Sequence, residues 1–399
     1  MQKIVTMSST TTTTTTNPTG LDALNNLITS TLDLITRLET VVANITAENQ
    51  RTSAPSSTEA PANPHPEINP LSLASDSATL LRAHATKLSL LIINEPFTPS
   101  AIISILRQLT SGPLPGLASA AQICVASQWT KTISQDLGYR ISRVLRETRA
   151  LVGKIPGDGK ALKDGPAKGG RGSIANTGTL WAACDELVAF AKRGFGGNLV
   201  KKTEELRDTV KDVMEELKEW GEETGSDDED EEEDDDEDEE EEDEGVKEVT
   251  QSLEATKIAD TQAMLDDLMN SSSYIPRDDP DKIRERLDSC LRRLRLVTLL
   301  YQAVGKRRLK SLPQTAPVEG SDLPTRLDEI MVLLKKIPER FGSLALAFYE
   351  LDPVEIDKLM DQCFFDCFAV AELLIKPWDG EKDEFSDWVV KFQAEVKKA

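Results

Sequence analysis

The sequence is poor in the side chains that most catalysis needs. It has two histidines, His65 and His84, five cysteines, and only 5% aromatic residues in 399. His65 sits among prolines with no fixed geometry, and His84 lies between Ala83 and Ala85. His84 reads as a satisfied or exposed structural histidine, because no second titratable group can be placed beside it. Cys124, Cys184, Cys290, Cys363 and Cys367 are odd in number and scattered. That excludes a disulfide framework and fits free thiols in a reducing compartment. Cys363 and Cys367 share a helix face, but no further cysteine or histidine completes a metal site. With Phe364, Phe365 and Phe368 alongside, they read as core thiols. Gly159-Lys160 is followed by Ala161, and no strand precedes it, so a phosphate loop is excluded. The expectation is a protein that is not an enzyme and takes no cofactor and no metal.

Long apolar runs are also missing. The longest, Leu88 to Ile93, is interrupted by Ser89 and is far shorter than a membrane span requires. The opening MQKIVTMSSTTTTTTT has no apolar core of signal-peptide length. A cytoplasmic and nuclear protein with no membrane partner is expected. The scarcity of aromatic residues, and of β-branched residues outside the threonine tract, argues against sheet.

What the chain has in excess is acid. Its net charge is −23, and Asp227 to Glu244 is an unbroken run of 18 acidic residues. Without that run, 51 acidic side chains face 46 basic ones, so the remainder is electrostatically ordinary. Acidity argues against nucleic acid, whose binding is dominated by phosphate neutralisation. The run repels itself and has no hydrophobicity, so disorder is expected there. It reads either as a solubilising linker or as an interaction tract, represented by Asp227, Glu231, Asp236 and Glu244, for basic proteins such as histone-like tails. A third reading is autoinhibition, in which the run covers the basic loop 154 to 171 or the segment Lys306 to Lys310. Ser226, followed by Asp227, Asp228 and Glu229, is a candidate acidophilic-kinase site. Lys306, Arg307, Arg308 and Lys310 form a candidate nuclear-localisation cluster, equally explained as a basic helix end. Arg140, Arg143, Arg146 and Arg149 step by three and predict a solvated helix face.

Helical periodicity dominates the remainder. Leu24, Ile28, Thr31, Ile35, Leu38, Val42 and Ile45 step by four and three, the stripe of one bundle helix. Five prolines between 51 and 70 forbid helix there. A second helix is predicted from about Leu73 to Ile93, and a third opens with Thr98 as N-cap and Pro99 in its first position. A fourth, from near Pro115, carries Ile133, Leu137, Ile141, Val144, Thr148, Leu151 and Ile155 and is interrupted only by Gly138. After a glycine- and lysine-rich loop at 153–178, a fifth spans Leu180 to Trp220 with a break at Gly194 to Gly197. Further helices are predicted at about 246–270, 281–304, 322–349, 353–375 and 383–398. The fold class is therefore all-α, in up-and-down bundles. Five segments are expected: a threonine-rich disordered leader at 1–19, a helix and Pro/Ser linker at 20–70, an N-terminal bundle at 71–225, the acidic linker at 226–245 and a C-terminal bundle at 246–399.

Three stretches carry a resemblance: Lys87-Leu-Ser-Leu-Leu91, Pro96-Phe-Thr-Pro-Ser100 and Gly112-Pro-Leu-Pro-Gly-Leu-Ala-Ser-Ala-Ala-Gln122. With the central acidic insert and helical C-terminal half, the chain from about 70 to 399 resembles the cyclin-D-binding protein family, also called the Grap and cyclin-D-interacting family, as a fungal-like or divergent member. The resemblance implies talin- and vinculin-like helical bundles. It also implies cyclin, adaptor or helix-loop-helix protein partners, and a negative regulatory role in the cell cycle or transcription without catalysis. A chaperone for histones or other basic proteins and a cytoskeletal linker are the alternatives.

Overall fold

The structure, a computed structural model, describes residues 20–51, 68–162, 173–222, 274–313, 315, 317, 321–378 and 383–398. The threonine-rich leader, most of the Pro/Ser linker, the acidic run and the helix expected at 246–270 lie outside the described residues. Among those described, the secondary structure is helical with no strand, as the sequence predicts.

The chain separates into two compact units, Met1–Leu199 with Leu312–Asp328, and Val200–Ser311 with Glu329–Ala399. The sequence placed the boundary at the acidic run. The acidic run lies outside the described residues, and the division into compact units falls within two helices, at Leu199 and at Asp328.

The first unit holds α1 (Gly20–Arg51), α2 (Pro70–Ile93), α3 (Pro99–Ser111), α4 (Pro113–Ile123), α5 (Ala126–Trp129), α6 (Lys131–Val152) and the first part of α7 (Ser173–Glu222). The α1 stripe faces inward, with Leu24, Thr31, Ile35 and Val42 fully buried, and α1 packs chiefly on α6. The start of α2 is fixed by capping chemistry. Asn69 Oδ1 accepts from Leu71 N at 2.9 Å and Ser72 N at 3.2 Å, and Pro70 occupies the first turn of α2. Thr98 and Pro99 open α3 as expected, although the Thr98 hydroxyl donates to Pro96 O instead of capping.

The long fourth helix expected from near Pro115 is not continuous. It breaks into α4, α5 and α6 because Cys124 and Val125 leave helical geometry and Thr130 adopts φ 67°. Ser134 Oγ donates to the freed Cys124 carbonyl. Thr130 Oγ1 accepts from Ile133 N at 3.3 Å, and the Asp328 carboxylate accepts from Lys131 N at 2.9 Å. Hydrogen bonds from distant residues hold a backbone that a β-branched residue rarely adopts. The break predicted near Gly194 is present as a kink in α7, with φ 68° and ψ −169°. Asn198 Nδ2 donates to Phe190 O at 2.9 Å and Gly194 O at 2.8 Å, satisfying carbonyls the kink releases.

The second unit holds the end of α7, α8 (Ile283–Ala303), a π turn (Val304–Arg308), a 3-10 turn (Leu309–Ser311), most of α9 (Leu323–Tyr349), α10 (Pro353–Leu374) and α11 (Glu384–Val396). Residues 200–222 of α7 belong here because Trp220 packs on Phe348 and Tyr349, with ring centroids 6.3 and 5.3 Å apart. Pro338 lies inside α9, where its missing N–H cannot serve Leu334 O. The buried Tyr301 hydroxyl donates to that carbonyl at 2.6 Å, so the helix continues.

Candidate interaction surface

On the first unit, α2 and α7 run antiparallel and meet at a polar seam. The half-buried Trp181 donates its indole N–H to Thr86 Oγ1 at 3.1 Å. Thr86 in turn donates to Arg82 O at 2.9 Å, which fixes its lone pairs towards the indole. The Arg82 guanidinium lies 5.2 Å from the centre of the Trp181 ring, and its Nε is 3.1 Å from Asp185 Oδ1. A cation on the ring face is favoured by the ring quadrupole. One turn beyond Thr86, Leu90 is 51% exposed, and Ile174 near the start of α7 is 59% exposed. Between Ile174 and Asp185 the outward positions are small, Gly178 and Ala182, and a Cβ at Gly178 would meet no other atom. The seam thus offers an aromatic ring and two leucine-sized side chains over small residues, where another helix could approach. Tryptophan and arginine are the side chains that most often dominate binding interfaces. Sequence reasoning missed Trp181, since one tryptophan in a helix carries no signal until α2 is laid beside it.

The residues singled out from sequence have other places. Asp227, Glu231, Asp236, Glu244 and Ser226 lie outside the described residues. Of the basic cluster, Lys306, Arg307 and Lys310 are exposed, but Arg308 is 2% exposed. Its Nε donates to Leu374 O at 2.9 Å and its Nη2 to Ile375 O at 3.2 Å and to Asp383 Oδ1 at 3.0 Å. Its guanidinium also lies 4.3 Å from the Phe385 ring centre. It therefore joins the end of α10 to the start of α11 and is not part of an exposed basic patch. Arg308 is the main reason Asp383 is held well below the usual carboxylate range, at about 2.

The arginines of α6 face acids. Arg140 and Arg143 reach Glu186, Arg146 reaches Glu147, and Arg149 reaches Glu39. His84 is buried, not exposed, and among the described residues its Nδ1 has no hydrogen-bond partner. Burial, then Lys87, lowers its pKa. Cys363 and Cys367 are buried thiols as predicted, and burial pushes Cys363 up to about 12. Phe364 shares their core, 3.7 Å from the Arg293 guanidinium, but Phe365 is 63% exposed and leaves the expected apolar cluster. The Gly/Lys loop is shorter than 153–178, since α7 begins at Ser173. Its first part is pinned: Leu162 N donates to Ile92 O at 2.8 Å, and Asn25 Nδ2 to Gly157 O at 3.2 Å. Among the described residues, no cluster of histidine, cysteine and carboxylate side chains could hold a metal ion. No described helix is long and apolar enough to cross a membrane.

The fold and this surface define an all-helical bundle with a partly open helix seam. Residues 74–223, which include almost all of α2 and α7, match the family model described as Grap2 and cyclin-D-interacting, N-terminal. This bears out the resemblance read from the sequence, over its N-terminal part. The chain is also 26% identical over 156 residues to an uncharacterized protein of the fission yeast Schizosaccharomyces pombe. That match covers 39% of this chain and 45% of the relative, so it spans under half of the relative's length.

Proposed function

We propose that this protein is a non-enzymatic interaction regulator that binds helical segments of cyclin D-type, adaptor or transcription-factor partners, acting in cell-cycle or transcriptional control. The match of residues 74–223 to a family described by its interactions carries this reading. The α2–α7 seam is the surface proposed for binding. An amphipathic helix laid along it would bury Leu90, Ile174 and the open face of Trp181 by the same packing that builds the bundle. The experiment is a titration of purified cyclin D into the full chain by calorimetry. Saturable binding that changes little between low and moderate salt is the expected outcome. Steep loss with salt would favour the rival reading, a basic-protein chaperone working through the acidic run. No binding at tens of micromolar would remove cyclin D from the proposal.

We propose further that the protein is distributed between cytoplasm and nucleus. With Arg308 buried, a nuclear signal in this segment would rest on Lys306, Arg307 and Lys310. A fluorescent fusion carrying all three as glutamine should be depleted from the nucleus if that signal operates. An unchanged distribution would rule it out.

A further inference from the structure

The second unit carries a helix face unlike the arginine-bearing face of α6. On α8, the inward positions Leu287, Cys290, Leu294, Val297 and Tyr301 are buried. Turning outward are Arg292, Arg295 and Leu299, the last 49% exposed, and the same side continues past the π turn to the exposed Lys306 and Lys310. Glu285 and Asp288 occupy the N-terminal end of this face, so its basic part begins at Arg292. The arginines of α6 find carboxylates on α1, α6 and α7. Among the described residues, by contrast, Arg295, Lys306 and Lys310 have no ion-pair partner. Arg307 makes one loose contact, 3.7 Å to Glu384. Five cations gathered on one side of a helix and turn, with an exposed leucine among them, fit an extended acidic segment better than an apolar helix.

We propose that the chain's own acidic run, Asp227–Glu244, docks along this face of α8 and the turn that follows it, shielding the face in cis. Charge complementarity is one argument, since the run brings 18 carboxylates and no other side chain. Reach is the other. The last turn of α7 lies against the first turns of α8, where Arg284 Nη1 donates to Gly221 O at 3.2 Å. α7 ends at Glu222, so the run starts five residues later, within about 17 Å of that point for an extended chain. Arg292 is only about 12 Å along the helix from Arg284, and Lys310 about 27 Å further. Eighteen extended residues reach up to about 60 Å, more than enough to follow the face from end to end.

The test uses the full chain, a version lacking 227–244, and a fluorescent synthetic peptide with the sequence of residues 227–244. Peptide anisotropy is measured at low salt. A tethered segment acts at an effective concentration of about millimolar. The deletion version should therefore bind the free peptide at least about tenfold more tightly than the full chain. In the deletion background, Arg292→Glu, Arg295→Glu, Lys306→Glu and Lys310→Glu together should abolish peptide binding while the helical circular dichroism is unchanged. Equal peptide affinity of full and shortened chains, including no binding by either, would overturn the proposal, as would retained binding by the charge-reversed version. Should the fourfold variant lose helicity, carbodiimide cross-linking of the wild type decides. Cross-links from Lys306 or Lys310 to the run within one isotopically marked chain support docking in cis. Their absence, or their appearance only between chains, overturns it.

Discussion

Two arginines in this protein make the same kind of site in two settings. Arg82 and Arg308 each lie on an aromatic ring and beside an aspartate, in the first and second units respectively. The Arg82 pair is 46% and 61% exposed in its side chains, whereas the Arg308 side chain is 2% exposed. An exposed pair is screened by water and contributes little to folding. A buried guanidinium must have its donors satisfied, and Arg308 spends them on two backbone carbonyls, Asp383 and Ser386. Burial therefore assigns the roles. The Arg308 cluster holds α10 to α11, and the Arg82–Trp181 cluster remains available to a partner.

The contrast is sharpest in mutants. Arg308→Ala leaves two carbonyls without their donor and the partly exposed Asp383 without its cation, and should destabilise the second unit by about 2–4 kcal/mol in urea unfolding. Arg308→Lys should recover only part of this, because an ammonium cannot reproduce the planar fork. A loss under about 1 kcal/mol for Arg308→Ala would break the comparison.

Acid should find the Arg308 cluster through Asp383, its exposed member. Asp383 is held near 2, below its ordinary value, so the folded state favours its ionised form. Its stabilising contribution is complete above about pH 4 and is lost as the pH falls towards 2. Urea midpoints measured across that window should fall, and the fall should shrink in Asp383→Asn. An identical pH slope in the variant would remove the assignment.

Smaller effects belong to the exposed seam. Thr86→Val removes the acceptor of the Trp181 N–H and should cost about 1 kcal/mol, since the indole is half-buried and can partly turn to water. Arg82→Ala should cost less than about 1 kcal/mol. Thermal melts of the two variants order them, and an Arg82→Ala effect rivalling Arg308→Ala would erase the distinction drawn from burial.

How far the sequence reveals these clusters follows from what each depends on. Repeating apolar positions placed most helices, and Pro99 and Gly194 marked a helix start and a kink through chemistry visible in a few residues. The break at Thr130 was not legible, because Ser127-Gln-Trp-Thr130 has neither glycine nor proline, and the turn is held by Ser134 and the distant Asp328. Arg308 looked like its exposed neighbours, since nothing in Lys306 to Lys310 reports that a π turn rotates one of them inward to meet residues 66 to 78 positions away. Trp181 was passed over for the same reason: its partners lie about 95 residues back, on α2. Periodicity records which face is buried, not which neighbour covers it.

The claim that the α2–α7 seam binds a partner helix is tested most directly by Trp181→Ala in the cyclin D titration. A central aromatic anchor contributes about 2 kcal/mol or more, so affinity should fall about thirtyfold with the helical circular dichroism retained, and Trp181→Phe should restore most of it. Unchanged cyclin D affinity in a folded Trp181→Ala protein would contradict the account.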